Sequence, residues 1–239
     1  MGSSRFPGKP IAPIRGKPMI EHVYKRSAMS GSLDELYVAT CDREIFDVVE
    51  GFGGRAIMTD ACHERCTDRI AEAMQNLEGD IIVNIQGDEP LVFPDMIDAA
   101  IAPLLENDSI VCSNLMAPIE SEEDYEDPNE VKVVVDRRSD ALYFSREPIP
   151  SKKKGAKNIV AYKQVCIIPF RRDFLFTYTR LPSTPLEIAE SVDMLRVLEH
   201  GYKVRMVLTE HSTCSVDTPE DLKHVDALMQ TDPLYPKYA

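Results

Sequence analysis

Asp80-Ile81-Ile82-Val83-Asn84-Ile85-Gln86-Gly87-Asp88-Glu89-Pro90 is the stretch whose reading decides the fold class. A short run rich in β-branched residues, closed by Gly, two acids and Pro, reads as a buried strand that stops abruptly. It leaves Asp88 and Glu89 at its carboxyl end. Ligands of open α/β sheets bind beyond that end of the strands. Asp88 is therefore expected to hold a metal ion and Gln86 to contact a ligand.

Outward from this strand, helix and strand patterns alternate. Upstream lie a helix at 67–77 with Ile70, Ala71 and Met74 on one face, and a short strand at 55–58. Before them, Asp42 is placed to cap a helix carrying Ile45, Phe46, Val48 and Val49, which Gly51 and Gly53-Gly54 stop. A strand at 35–40 and a first helix from Pro18, with an apolar stripe of Met19, Ile20, Val23 and Tyr24, precede that. Downstream come a helix at 94–105 and a strand near 110–115. Such alternation indicates βαβ units, right-handed crossovers and a mainly parallel sheet with flanking helices.

Beyond Pro118 the pattern changes. Strands at 131–135 and 141–145 are joined by a turn at 137–140, and a further strand spans 160–168. An amphipathic helix at 185–199, a strand at 204–208 and a last helix begun by Thr218-Pro219 complete the chain. The expected organisation is a single α/β domain over 1–239, with 118–185 inserted as a smaller antiparallel layer.

Composition narrows the function classes. The chain has 239 residues, 44% hydrophobic and 28% charged, as in an ordinary soluble globular protein. A formal net charge of -13 argues against broad nucleic-acid or anionic-membrane surfaces. No apolar run approaches the roughly 18 residues of a membrane span, and the reading is a cytoplasmic protein. Cys41, Cys62, Cys66, Cys112, Cys166 and Cys214 lack framework spacing and are expected to be reduced thiols. An anionic substrate must then be held by a local cluster of cations or through a divalent metal.

Several residues can carry chemistry. Gly2-Ser-Ser-Arg-Phe-Pro-Gly-Lys-Pro10 could cradle phosphates with its backbone N–H groups, Arg5 and Lys9, or form a flexible arm, which composition alone favours. Asp217 either joins Asp88 on a metal such as Mg²⁺, which takes one or two carboxylates plus phosphates, or caps the helix after it. Cys62-His63-Glu64-Arg65-Cys66 offers at most three soft ligands with no second pair, which weighs against structural zinc. The basic loop Ser151-Lys-Lys-Lys-Gly155 reads as a solvated segment. No His stands with a Ser or Cys in a way that points to a hydrolytic triad.

Taken together, Ser3-Ser-Arg-Phe-Pro-Gly-Lys-Pro10, Gly16-Lys-Pro-Met-Ile20, Val83-Asn-Ile-Gln-Gly-Asp-Glu-Pro90, Ala141-Leu-Tyr-Phe-Ser-Arg146, Leu195-Arg-Val-Leu198 and Val216-Asp-Thr-Pro-Glu-Asp221 resemble the 3-deoxy-manno-octulosonate (Kdo) cytidylyltransferases, or CMP-Kdo synthetases. The resemblance runs from residue 2 to about residue 230. It implies a Rossmann-like nucleotidyltransferase, usually a homodimer, that makes CMP-Kdo and pyrophosphate from CTP and the keto-sugar acid for lipopolysaccharide synthesis. Lys9 would hold the triphosphate, with Gly2, Ser3, Arg5, Thr67, Asp68 and Arg69 completing the nucleotide site. Asp88 and Asp217 would bind Mg²⁺, and Gln86, Arg146, Gln164 and Asp193 would face the sugar.

Three departures stand out. The family opens with an apolar strand ending in Ile-Pro-Ala-Arg, and here Met1 stands in its place, so the first family strand is expected to be absent. The family's Ser-Gly-Thr-Glu/Asp-Arg loop beside the base is Arg65-Cys-Thr-Asp-Arg69, where Cys66 would restrict a backbone expected to need positive φ. The pattern His-Leu-Gly-Ile-Tyr is Gln164-Val-Cys-Ile-Ile168, and a Gln before Leu195 is Met194, an apolar drift that predicts a changed sugar. A cytidylyltransferase for Kdo or a close relative is the leading reading; a nucleotide-binding regulator without turnover, or altered sugar or base choice, are the alternatives.

Overall fold

The computed structural model describes residues 6–155, 159–211 and 214–239. After a 3₁₀ turn at Lys9–Ile11 come β1 (Pro13–Ile14), β2 (Lys17–Pro18), α1 (Met19–Ser27), β3 (Val38–Thr40), α2 (Arg43–Gly51), β4 (Ala56–Met58) and α3 (Cys66–Ala73). The middle of the chain forms β5 (Ile81–Ile85), α4 (Pro94–Glu106), β6 (Ser113–Pro118), α5 (Glu122–Glu126), β7 (Lys132–Val135) and β8 (Ala141–Ser145). Then follow β9 (Tyr162–Val165), β10 (Ile167–Arg171), α6 (Arg172–Tyr178), α7 (Pro185–Glu190), α8 (Asp193–Glu199), β11 (Arg205–Leu208) and α9 (Pro219–Leu228). No helix among the described residues is long and apolar enough to cross a membrane.

The chain separates into two compact units. Unit 1 comprises Met1–Leu77, Ile85–Asp98 and Ser212–Ala239; unit 2 comprises Glu78–Asn84 and Ala99–His211.

In unit 1, β3 and β4 pair in parallel, Val38 opposite Ala56, and α2 connects them. Asp42 caps α2 as expected, its Oδ1 accepting the Glu44 N–H at 3.0 Å. Gly53 then supplies the left-handed backbone, φ 80°, that ends the helix. Ile20, Ile45 and Val49 form one buried cluster, and Ile14, Met19, Val216, Val225 and Met229 another. Gly87 of the opening stretch packs closely on α1: a Cβ there would sit 3.1 Å from Ile20 Cδ1 and would push that methyl back by a few tenths of an ångström.

A fully buried arginine braces this unit. Arg26 donates from Nε to the Val92 carbonyl at 2.6 Å and from Nη2 to that of Leu91 at 3.0 Å. Its two terminal nitrogens also grip the Asp232 carboxylate at 2.7 and 3.2 Å. Burial alone would raise the Asp232 pKa, but the Arg26 hydrogen bonds and charge outweigh it and hold the carboxyl below its usual range. Nearby, His22 is buried between the Ile14 carbonyl, which accepts from Nε2 at 2.8 Å, and Tyr238 Oη at 3.0 Å from Nδ1. Burial lowers its pKa below 6.5.

Unit 2 is built on a five-stranded sheet of order β11-β6-β9-β7-β8, parallel between β11 and β6 and antiparallel elsewhere, and on a β10-β5 pair. Leu115, Val133, Phe144, Val165, Phe170 and Leu195 are buried in it. The parallel pairs and intervening helices give the α/β class expected from the alternation, and the antiparallel strands after Pro118 join β6 and β11 in one five-stranded sheet.

Three expected elements differ. The strand at 160–168 breaks at Cys166, because β9 pairs with β6 and β7 while β10 pairs with β5. Asn114 satisfies the carbonyls on either side of the break, donating from Nδ2 to Val165 at 2.6 Å and to Ile167 at 3.3 Å. The helix at 185–199 is two helices: Ser191 adopts a left-handed backbone, φ 55°, and α7 packs on α8 with a buried Arg196–Glu187 pair. The strand near 110–115 starts only at Ser113, since the 107–110 stretch turns, with Ile110 N–H bonded to the Asn107 carbonyl.

Removing one partner of a buried pair leaves the other charge unpaired, so Arg26→Ala should lower unfolding stability by about 3–5 kcal/mol in urea titration. The lowered His22 and Asp232 pKa values both make the unfolded chain bind more protons in acid, so stability falls as pH drops. The His22 part sets in below about 6.5 and the Asp232 part below its usual value of 3.8. The His22→Gln variant should therefore show a flatter loss of thermal midpoint between about pH 6.5 and pH 5 than the unsubstituted chain.

Candidate active site

Phe6-Pro7-Gly8-Lys9 folds as a type II turn: the Lys9 N–H bonds the Phe6 carbonyl at 3.2 Å, and Gly8 takes φ 75°, ψ 8°. Pro presets the first corner and Gly alone takes the second without strain. The turn delivers the Lys9 ammonium to Asp88 Oδ2 at 3.0 Å and Asp217 Oδ1 at 3.4 Å.

The two aspartates stand on loops joined through the main chain, the Val216 N–H donating to the Asp88 carbonyl at 2.9 Å. Asp217 precedes the helix without capping it. The cap of α9 is Thr218, whose Oγ1 accepts the Asp221 N–H at 3.2 Å while Asp221 Oδ2 accepts the N–H groups of Thr218 and Asp217 at 2.7 and 2.9 Å. The capping box thus runs between Thr218 and Asp221, while the Asp217 carboxylate faces Lys9.

All three charged side chains remain partly open, with 14, 25 and 26% of the Lys9, Asp88 and Asp217 side chains exposed. Two carboxylates that converge on one ammonium present hard oxygen donors to a common point. Among the described residues they gather no third His, Cys, Asp or Glu. That donor set fits Mg²⁺, which completes its shell with water and substrate phosphates.

The other expected nucleotide contacts are unevenly placed. Gly2, Ser3 and Arg5 lie outside the described residues. Cys66, Thr67 and Asp68 form the first turn of α3, with Thr67 fully buried. Cys66 is helical, so its position has no need of positive φ and the expected backbone conflict does not arise. Arg69 braces the preceding loop, donating from Nη1 to Thr59 Oγ1 at 2.7 Å and to the Asp60 carbonyl at 3.1 Å, and from Nη2 to the His63 carbonyl at 3.2 Å. His63 itself bonds Glu72. Gln86 points its amide at Cys66 Sγ, 3.6 Å away.

Within unit 2, the expected sugar residues are tied into polar networks. Gln164 Nε2 donates to Asn114 Oδ1 at 2.6 Å. Asp193 opens α8 and is half-buried. Arg146 donates from Nε to the Glu190 carbonyl at 2.6 Å, from Nη1 to that of Pro128 at 2.8 Å and from Nη2 to that of Ser191 at 3.4 Å.

Two residues of these networks escape a reading of the sequence. Glu190 accepts from the Arg146 N–H at 2.7 Å, Ser145 Oγ at 2.8 Å and Tyr143 Oη at 3.1 Å. Burial would raise its pKa, yet these donors hold it below the usual value. The only signal for it is the small polar Ser191 beside it, which ends α7. Asn114 is the other, an amide amid apolar residues. Ile168 and Met194, by contrast, are 2% and 0% exposed and pack in the interior of unit 2, so they form no wall of an open pocket.

The family model "Cytidylyltransferase" matches residues 1–207. The 3-deoxy-manno-octulosonate cytidylyltransferase of Geobacter metallireducens is 49% identical over 233 residues, 93% of this chain and 92% of that protein. The protein of the same name from Syntrophobacter fumaroxidans is 50% identical over 234 residues, 96% of this chain and 94% of its own. The chain belongs to the 3-deoxy-manno-octulosonate cytidylyltransferase family.

A solved CMP:2-keto-3-deoxy-manno-octonic acid synthetase complexed with CTP superposes with a TM-score of 0.90 at 42% identity, over 96% of this chain and 94% of that one. In fold alone the likeness extends to a 4-diphosphocytidyl-2C-methyl-D-erythritol synthase of Anaerococcus prevotii, TM-score 0.59 at 16% identity over 92% of this chain and 93% of that one. As a family member the chain is a nucleotidyltransferase, and its turn at Pro7-Gly8-Lys9 belongs to the matched region.

A Cβ at a left-handed position costs about 1–2 kcal/mol. Gly8→Ala should therefore lower stability by about that much and, because the turn aims Lys9, lower cytidylyltransferase turnover further than the stability loss explains. Steady-state kinetics beside urea denaturation will separate the two, and unchanged turnover would show that Lys9 does not depend on the turn.

Proposed function

We propose that this chain joins CTP and 3-deoxy-manno-octulosonate to give the CMP-sugar and pyrophosphate, with Lys9, Asp88 and Asp217 at the reacting phosphates. The observation that carries this reading is the convergence of both carboxylates on Lys9, at 3.0 and 3.4 Å. The sugar's anomeric oxygen forms a bond to the α-phosphorus as the bond from that phosphorus to the bridging oxygen breaks. Pyrophosphate leaves, and the hydroxyl proton passes to solvent. Asp88 and Asp217 would hold Mg²⁺, which when bound supplies positive charge to the phosphate oxygens.

Lys9 donates to the triphosphate in this scheme and neutralises charge that builds on the leaving group. Such a reaction needs positioning and electrostatic stabilisation more than a protein nucleophile. Asp68 and Arg69 are assigned to the nucleotide through the loop that Arg69 braces, with the fully buried Thr67 holding the first turn of α3 beneath them. Sugar recognition is assigned to Gln86, Arg146, Gln164 and Asp193. For Arg146 the supporting feature is rigidity: three carbonyls hold its guanidinium and the Glu190 carboxylate holds its main-chain N–H. The reading carries with it a homodimer acting in the cytoplasm. Kdo itself is the favoured acceptor, since Ile168 and Met194, the strongest grounds for another sugar, lie in the interior.

Pyrophosphate release from CTP, Mg²⁺ and Kdo tests the reading directly. Asp88→Asn should retain the fold by circular dichroism and lose turnover by about a hundredfold or more. Near-normal rates in that variant at saturating Mg²⁺ would falsify the metal assignment. Arg146→Ala should raise the KM for the sugar acid more than that for CTP; an effect confined to CTP removes Arg146 from the sugar site.

A further inference from the structure

We propose that unit 2 carries a second anion site, separate from Lys9, Asp88 and Asp217, that takes a phosphate-bearing small molecule. A cavity of about 440 Å³ lies between the 107–112 connection, the 136–140 turn and the 201–205 segment. That volume is within the roughly 300–1,000 Å³ of small-molecule sites. Arg138, Lys203 and Arg205 line it, with Asp140 as the one carboxylate among its lining residues. Three cations against one carboxylate leave two positive charges in surplus, in a chain whose net charge is -13.

Two of the cavity's cations are anchored on one buried acid. Asp140, its side chain 8% exposed, accepts from Lys203 Nζ and Arg205 Nε at 2.9 and 2.8 Å. Burial would raise its pKa, but those two cations hold it ionised and below the usual range. The turn is stitched to the neighbouring strand: the Ala141 N–H bonds the Val204 carbonyl at 2.9 Å and the Met206 N–H the Ser139 carbonyl at 2.7 Å. Ser139 takes φ 64° so that Asp136 Oδ1 can accept the N–H groups of both Arg138 and Asp140, at 2.7 and 2.9 Å.

Arg138 differs from its neighbours. Its exposed guanidinium makes no side-chain hydrogen bond or ion pair among the described residues, so its donors remain available to a ligand of the cavity it lines. Tyr202, its ring held edge-on to Phe174 with centroids 4.8 Å apart, gives the cavity a firm apolar wall. A planar fork beside a lysine and a second arginine is the arrangement that binds phosphate oxygens through charge-assisted hydrogen bonds.

The test is calorimetric titration of the full chain with inorganic pyrophosphate, without nucleotide or sugar acid, run beside Lys9→Ala to remove the reaction-centre site. One equivalent is expected to persist in Lys9→Ala, and Arg138→Ala and Arg138→Glu should weaken it by about tenfold or more. Both variants should keep their cytidylyltransferase turnover. Affinity unchanged in both, or no binding up to about 10 mM pyrophosphate, overturns the proposal. Binding lost in Lys9→Ala but kept in Arg138→Glu would assign the ion to the Lys9 site, overturning the second site while leaving the proposed function intact.

Discussion

Two carboxylates of like charge, 129 positions apart in sequence (88 and 217), are held at one point by a single ammonium. Unit 1 is organised to make that arrangement stable without any ligand. The Asp88 carbonyl takes the Val216 N–H, so the two acidic loops cannot separate without breaking a main-chain bond. Val216 is buried with Val225 and Met229 from the carboxyl end and Ile14 and Met19 from the amino end. Hydrophobic packing thus fixes the distance between the acids, and Lys9 offsets their repulsion. In the proposed scheme a divalent cation takes over the two carboxylates and Lys9 turns to the triphosphate, an exchange among groups that already stand at one point.

The support reaches beyond the charges themselves. Arg26 holds the carbonyls of Leu91 and Val92, which directly follow the Asp88-Glu89-Pro90 turn, and anchors them to Asp232 near the chain end. A buried ion pair contributes little net stability, since desolvation offsets its attraction. Its value here is directional: five donors on one rigid plane define where an irregular loop must run. Glu190 does the same for Arg146 in unit 2, collecting a main-chain N–H, a hydroxyl and a phenol around one carboxylate.

Much of this was legible in the sequence, and the reasons are local. Ile81-Ile-Val and the Gly-Asp-Glu-Pro that follows announce a strand and its end, and Asp42, Thr218 and Pro219 announce helix starts, because caps and breakers act within four residues. Asp88 and Asp217 stood out as acids just outside regular elements, while composition favoured a flexible arm around Lys9 and the family resemblance drew Lys9 to the triphosphate. What was not legible depends on distant partners. The break at Cys166 exists because β9 and β10 join different neighbours, and the break at Ser191 because α7 and α8 pack on each other around Arg196 and Glu187. No local periodicity encodes either. Glu190 and Asn114 were missed for the same reason: their partners are about 45 to 50 residues away in sequence.

The departures from the family pattern are better understood as packing than as specificity. Cys66 stands where the family has Gly, yet the residue is the first of a helix, where Cys is sterically ordinary, and its thiol receives the Gln86 amide. Ile168 and Met194 replace polar residues, but both are interior, and Met194 Sδ lies 4.0 Å from the buried Cys112 thiol. An apolar side chain in an interior position avoids the cost of an unsatisfied polar group. The three charged residues at the proposed reaction centre are untouched by this exchange, because their placement depends on a turn, a capping box and a main-chain bond rather than on the residues that changed.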